Sequence, residues 1–182
     1  MTATSERYRK NAAGFTTRVE DAPPDAWENQ SPDEEWTARD VVRHCIDVSS
    51  MFLGFVDVTL PDAPSVDNNP VAAWASARDT MQRALEDPAI AEAEYEGQLG
   101  KSTFEQGVAR FVAPDVLLHT WDLARATGQD EHLDPSGLDG LLEAWTPLDE
   151  KMRTPGGFGP KIDPPQADDL QTRVLNFTGR RV

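Results

Sequence analysis

The chain has 182 residues, a length that suits one domain and leaves little for a second. Its 17 Lys and Arg stand against 32 Asp and Glu, and the resulting formal charge of −15 repels phosphate backbones and anionic lipid, so nucleic acid and membrane surfaces are poor partners. No apolar run approaches the roughly 18 residues of a membrane span. The opening MTATSERYRKNAAGF lacks the apolar centre of a signal peptide, and a single cysteine makes no internal disulfide, so the cytoplasm is the expected compartment.

Helical spacing dominates the chain. From near Ser5, the residues Tyr8, Ala12, Phe15 and Val19 fall on one helix face. A loop with Pro23, Pro24, Pro32, Trp27 and Trp36 follows. Thr37 and Asp40 resemble a capping box, with Asp in place of the usual Glu, and open a second helix. That helix has an apolar stripe through Val41, Cys45, Val48, Phe52 and Phe55. Residues 59–70 read as loop, and Asn69-Pro70 start a third helix whose face is Trp74, Ala77, Met81 and Leu85. Residues 91–101 have poor periodicity, and strand signals are nearly absent. Ser102 and Glu105 form another candidate capping box for a fourth helix that runs to about Thr127, with Gly128 suited to end it. A fifth helix is expected over 135–153, kinked by Pro147, with Leu138, Leu141, Leu142, Trp145, Leu148 and Met152 inward. A short one near 167–178 carries Leu170, Val174 and Phe177 and is capped by Gly179. The expected architecture is all-α: one domain over 1–182, with a four-helix core bundle at about 4–128 and a helical extension at about 135–182.

Polar residues interrupt two of the inward faces. On the fourth helix, Phe104, Val108 and Phe111 set the face, and its continuation is Asp115, His119 and Asp122. On the second, His44 lies in a stripe with Val41, Val48, Met51 and Phe55, beside the one through Cys45. A buried polar group without a partner costs about 1–3 kcal/mol, so a helix packing only for stability would carry Leu or Val there. Asp115 and His119, four residues apart, can offer two ligands to one metal ion, and His44 from a facing helix a third. Two imidazoles and a carboxylate suit zinc, and also nickel, iron or cobalt; three protein ligands leave a position open for water or substrate. Other readings stand beside this one. Asp115 after Pro114 fits a first-turn acid favoured by the helix dipole, Asp122 can pair with Arg125, and a D-x-x-x-H spacing also arises by chance. Cys45 reads as a small core residue and His132 as a solvated loop residue.

The stretch Trp36-Thr37-Ala38-Arg39-Asp40-Val41-Val42-Arg43-His44 resembles the W-T-x-R-D-[LV]-[LV]-x-H segment of mycothiol-dependent maleylpyruvate isomerase-like proteins. Asp115 to Gly128 resembles their [ED]-x-x-x-H-x-W-D-L-A-R-A-T-G segment, and the tail from Phe158 to Arg180 is similar to the end of single-domain members. The resemblance implies the DinB-like superfamily, an up-down-down-up four-helix bundle, and a divalent metal, typically zinc, held by His44, Asp115 and His119. It also implies a role for that metal in activating the thiol of mycothiol, or a related low-molecular-weight thiol, for attack on a small electrophile. Asp122 and Asp47 are then candidates to orient a ligating imidazole, and Arg125 a candidate to approach a substrate. The isomerases carry Glu at the position of Asp115 and a separate C-terminal domain that this chain is expected to lack. The functional expectation is a metal-dependent thiol transferase or isomerase; the alternative is a non-catalytic metal- or ligand-binding bundle with a vestigial site. A homodimer is an expected assembly, as related bundles often pair through helix faces.

Overall fold

The computed structural model describes residues 1–97, 100–153, 157–162 and 169–182. They form two compact units, Met1–His132 and Leu133–Val182.

The first unit is built on helices α1 (Ala3–Glu20), α2 (Ala38–Gly54) and α3 (Pro70–Glu86) and a fourth, longer helical run. Each start is fixed by a side chain that satisfies an otherwise orphaned amide. Thr2 Oγ1 accepts from the Ser5 N–H at 3.2 Å, and Asn69 Oδ1 accepts from the Ala72 N–H at 3.0 Å. At α2 the box closes both ways: the Asp40 N–H donates to Thr37 Oγ1 at 3.3 Å, and the Thr37 N–H donates to Asp40 Oδ2 at 2.9 Å. A short α4 (Pro88–Ala91) follows α3.

The poorly periodic stretch is where the structure departs from the all-helical expectation. Strands β1 (Glu94–Gly97) and β2 (Gly100–Thr103) pair antiparallel, with Glu94 opposite Thr103 and Gly97 opposite Gly100. Four-residue surface strands of the sequences Glu-Tyr-Glu-Gly and Gly-Lys-Ser-Thr offer no apolar alternation to read. The hairpin is anchored instead by Tyr95, whose ring stacks on Phe55 at 4.9 Å. Tyr95 also reaches over Gly107: a Cβ there would lie 2.3 Å from the phenol oxygen.

The fourth helical run has three parts: α5 (Phe104–Gly107), a π-turn (Val108–Val112) and α6 (Ala113–Thr127). The capping box at its start uses Thr103 and Gln106, one residue later than Ser102 and Glu105, because β2 extends to Thr103. The π-turn has a local cause. Pro114 has no N–H to donate to the carbonyl four residues back, and its ring would crowd that turn. The Ala113 N–H donates to Val108 O, five residues back, so the wider turn carries the helix past the proline. Gly128 ends α6 with φ 71°, the left-handed conformation that glycine adopts without a Cβ clash.

Helix α1 packs on α3 and α6, and α2 packs on the same two. Directions follow from the pairs that meet. Along α1, Asn11 donates to Ala113 O at 2.8 Å and Arg18 donates to Asp130 O at 2.8 Å, so α1 and α6 run parallel. The Trp74 indole donates to Thr16 Oγ1 at 2.9 Å while Gln82 donates to Ser5 Oγ at 2.9 Å, so α3 runs against α1. Phe52 meets Phe111 while His44 meets His119, so α2 runs against α6. The bundle is therefore up-down-down-up, the DinB-like arrangement. Its interior holds Tyr8, Phe15, Trp74, Met81, Phe104 and Trp121, each no more than 1% exposed. The apolar face of α2 is narrower than expected: Met51 is 50% exposed and Phe55 41%, while Val42, Ser49 and Leu53 are buried with Val41, Cys45 and Phe52. Phe55 turns outward to the hairpin, which supplies its partner in Tyr95.

In the second unit the expected long helix is broken into α7 (Pro135–Leu138), α8 (Leu141–Trp145) and α9 (Asp149–Met152), with a 3-10 turn at Thr146–Leu148. Gly140, at φ 76°, makes the first break, and Pro147 lies in the 3-10 turn. Leu138, Leu141 and Trp145 are buried, whereas Leu142, Leu148 and Met152 are only partly so. The last helix, α10, spans Leu170–Phe177, starts on the Asp169 carboxylate and ends before Gly179 at φ 93°. The expected helix start near 167 lies outside the described residues.

Candidate metal centre

The capping box sets where α2 begins and therefore where His44 points. The π-turn and Pro114 set the phase in which α6 presents Asp115 and, four residues on, His119. These three side chains converge between the two helices, with one ligating atom of each within 4.8 Å of the others. His44 Nε2 lies 3.4 Å from Asp115 Oδ2, and His119 Nε2 lies 3.4 Å from Asp115 Oδ1. The imidazole centroids are 4.6 Å apart at 64°. With bonds of about 2.0–2.1 Å, tetrahedral donors sit about 3.3–3.4 Å from one another, and the single oxygen Asp115 Oδ1 lies 3.5 Å from His44 Nε2 and 3.4 Å from His119 Nε2, close to those edge lengths. Asp115 Oδ2 is buried and accepts no hydrogen bond among the described residues, a cost that a cation would relieve. The residues present thus fit a divalent metal.

The electrostatics keep the acid charged. Burial pushes Asp115 up, yet the adjacent His119 and His44 outweigh it and hold the carboxyl well below the usual carboxylate range. Burial pushes His119 down, yet Asp115 and Asp122 outweigh it and raise the imidazole to about 9. Without metal the cluster is therefore an imidazolium held by carboxylates, and a cation must displace that proton.

Of the candidate supporting residues, the structure brings one to the site. Asp122 Oδ2 lies 2.7 Å from His119 Nδ1, and its side chain is 6% exposed. A carboxylate beside the second ring nitrogen is the kind of neighbour that orients metal-binding imidazoles. Asp47, three residues after His44, is exposed on α2 and makes neither a hydrogen bond nor an ion pair with His44. Arg125 lies over the Trp121 ring at 4.8 Å and 3.8 Å from Glu131. Cys45 is fully buried in the core, and His132 is exposed beside Asp130. Sequence reasoning did not place Trp36 here, yet its ring centroid is 4.7 Å from that of His44 and 5.7 Å from that of His119. The available signal was an aromatic residue immediately before the cap of the helix that carries His44.

The chain is a helical bundle in which two histidines and a carboxylate converge between antiparallel helices as a candidate metal site. It belongs to the mycothiol maleylpyruvate isomerase N-terminal domain family, whose profile matches residues 8–124. That span contains all three donors and Asp122. Two curated proteins are similar over nearly the whole chain: "Uncharacterized protein MT0763" and "Uncharacterized protein Rv0738" of Mycobacterium tuberculosis, from strains CDC 1551 / Oshkosh and H37Rv. Each is 26% identical over 177 residues, covering 96% of both chains. No solved structure matches. No helix among the described residues is long and apolar enough to cross a membrane.

Proposed function

We propose that the chain is a metal-dependent enzyme of small-thiol chemistry, a transferase or isomerase that uses a low-molecular-weight thiol such as mycothiol. His44, Asp115 and His119 hold a divalent cation, with zinc as first choice and nickel, iron or cobalt compatible with the same donors. When bound, the cation lowers the pKa of a coordinated thiol and keeps it as thiolate near neutral pH. The chain's own residues do the rest. Asp122 fixes His119 with Nε2 toward the ion. Asp115 is ionised throughout the working range and supplies the negative charge of the donor set. Three protein donors leave room for the thiol and, beside it, a small electrophile. Val48 and Phe111, each one helical turn from a donor, are partly buried apolar neighbours of those donors along the two helices.

The observation that carries the reading is the convergence of the three donor atoms within 4.8 Å from two helices of a mycothiol-related domain. The test is product analysis by mass spectrometry. The zinc-loaded chain is incubated with mycothiol and a panel of unsaturated acids and epoxides, beside His44→Ala. Zinc-dependent conjugates or isomers, lost in the variant, are expected. A chain that binds zinc but processes none of the panel and leaves mycothiol untouched would favour a non-catalytic metal-binding bundle.

A further inference from the structure

The two imidazoles of the centre are not supported alike. His119 has Asp122 at 2.7 Å from its Nδ1. The His44 ring makes no hydrogen bond to any described residue beyond the long 3.5 Å contact of its Nε2 with Asp115. A ligating histidine usually donates its second N–H to a carboxylate or carbonyl that fixes the ring plane. On α2, Asp47 has the right spacing for that role and does not take it. The Trp36 indole lies against the His44 ring instead, at 4.7 Å and 39°, and extends to His119 at 5.7 Å and 35°.

Trp36 is itself held from several directions. Its backbone N–H donates to Asp33 O at 3.1 Å, and its backbone carbonyl accepts from the Ser31 N–H at 2.9 Å and from Gln30 Nε2 at 2.8 Å. Gln30 forms a bridge with Thr37, the cap of α2. Asn29 takes the Ala38 N–H at 2.9 Å and donates its own amide to Ala126 O of α6 at 3.0 Å. The loop that carries the indole is thus bonded to both helices that supply donors.

We infer that Trp36 is the positioning residue for His44: its indole face fixes the plane of an imidazole that has no hydrogen-bonded carboxylate or carbonyl behind it, and spans both ligating rings. The inference rests on the metal reading above and concerns affinity and geometry at the centre, not bond making. Loss of a hydrogen-bonded partner of a ligating histidine costs about 10- to 100-fold in metal affinity, and the ring contact of Trp36 is set at the lower end of that range.

The experiment compares the native chain with Trp36→Ala, Trp36→Phe and Trp36→Leu, metal-free folding being checked by circular dichroism. Zinc affinity is read by chelator competition and site geometry by the visible spectrum of the cobalt(II)-loaded proteins. Trp36→Ala and Trp36→Leu are expected to bind zinc at least about tenfold more weakly and to show altered cobalt bands, while Trp36→Phe recovers most of the affinity and the native spectrum. Leucine fills much of the volume without a ring face, so it carries the test if the alanine variant does not fold. A native chain that binds zinc, with Trp36→Leu within twofold of it and the same cobalt spectrum, would overturn the inference and leave the metal reading intact. Equal losses in Trp36→Phe and Trp36→Leu would also overturn it. A native chain that binds no zinc would sink the metal reading itself.

Discussion

Replacing Asp122 by asparagine separates the charge behind His119 from the shape of the site. Asp122 is nearly fully buried and its Oδ2 lies 2.7 Å from Nδ1, a close charged contact. Asparagine keeps the volume and one acceptor oxygen, so the loss falls at the lower end of the 10- to 100-fold range for such partners, about tenfold or ~1.4 kcal/mol of zinc binding. A second consequence works against the first. Asp122 is one of two carboxylates that raise His119 to about 9, and its neutralisation lowers that value. Below pH 9 the native site must expel a proton to bind metal, so its affinity rises with pH up to about 9; the variant site binds that proton less tightly, and its affinity levels off earlier. Chelator competition across pH 6.5–9.5 should therefore show the tenfold gap at the alkaline end and a narrowing gap toward neutrality. A ratio independent of pH, or no difference at pH 9.5, would refute the assignment of Asp122 as the anionic partner of a ligating histidine.

Other expectations concern the scaffold. Thr37→Ala removes the reciprocal cap of α2 and should cost about 1 kcal/mol, lowering the melting temperature by roughly 2–4 °C. Asp40, the other half of that box, is hydrogen-bonded by Thr37 and held below its usual carboxylate pKa, so the box stabilises the fold above the unfolded value near 4 and loses its effect as pH falls through the folded value. The gap between native and Thr37→Ala in urea unfolding should accordingly shrink in acid; a gap that widens would contradict the sign. Gly107→Val places carbon where the Tyr95 phenol sits and should release the hairpin, costing about 1–3 kcal/mol and exposing amides of β1 and β2 to hydrogen exchange. Unchanged protection there would show that Tyr95 does not anchor the hairpin.

Where a side chain has one structural job, it was readable from the chain alone. Tyr8, Phe15, Trp74 and Met81 fall at helical spacing because they fill the bundle interior, and Thr37, Asn69 and Gly128 mark helix ends because only such residues satisfy those backbone groups. The three donors were legible for the opposite reason: His44, Asp115 and His119 lie where a face built only for packing would be apolar, and the structure gathers them. Asp122 was legible as a polar interruption, and only the structure distinguishes its place behind His119 from a surface pair with Arg125. Three features escaped. The described strands of the hairpin have no apolar alternation, and Tyr95 is their one aromatic residue. The π-turn follows from Pro114 meeting a helix that tertiary packing keeps continuous, which local propensity reads as a restart. Trp36 reaches the site through a loop whose path is set by hydrogen bonds to two helices, and periodicity carries no information about such a path.

The central claim is that one divalent ion sits between His44, Asp115 and His119. The most direct measurement is elemental analysis of the tag-free chain after incubation with zinc and exhaustive dialysis, beside His119→Ala with its fold checked by circular dichroism. Close to one zinc per native chain, and almost none in the variant, is the result expected. Equal metal contents in the two, whether both loaded or both empty, would contradict the account.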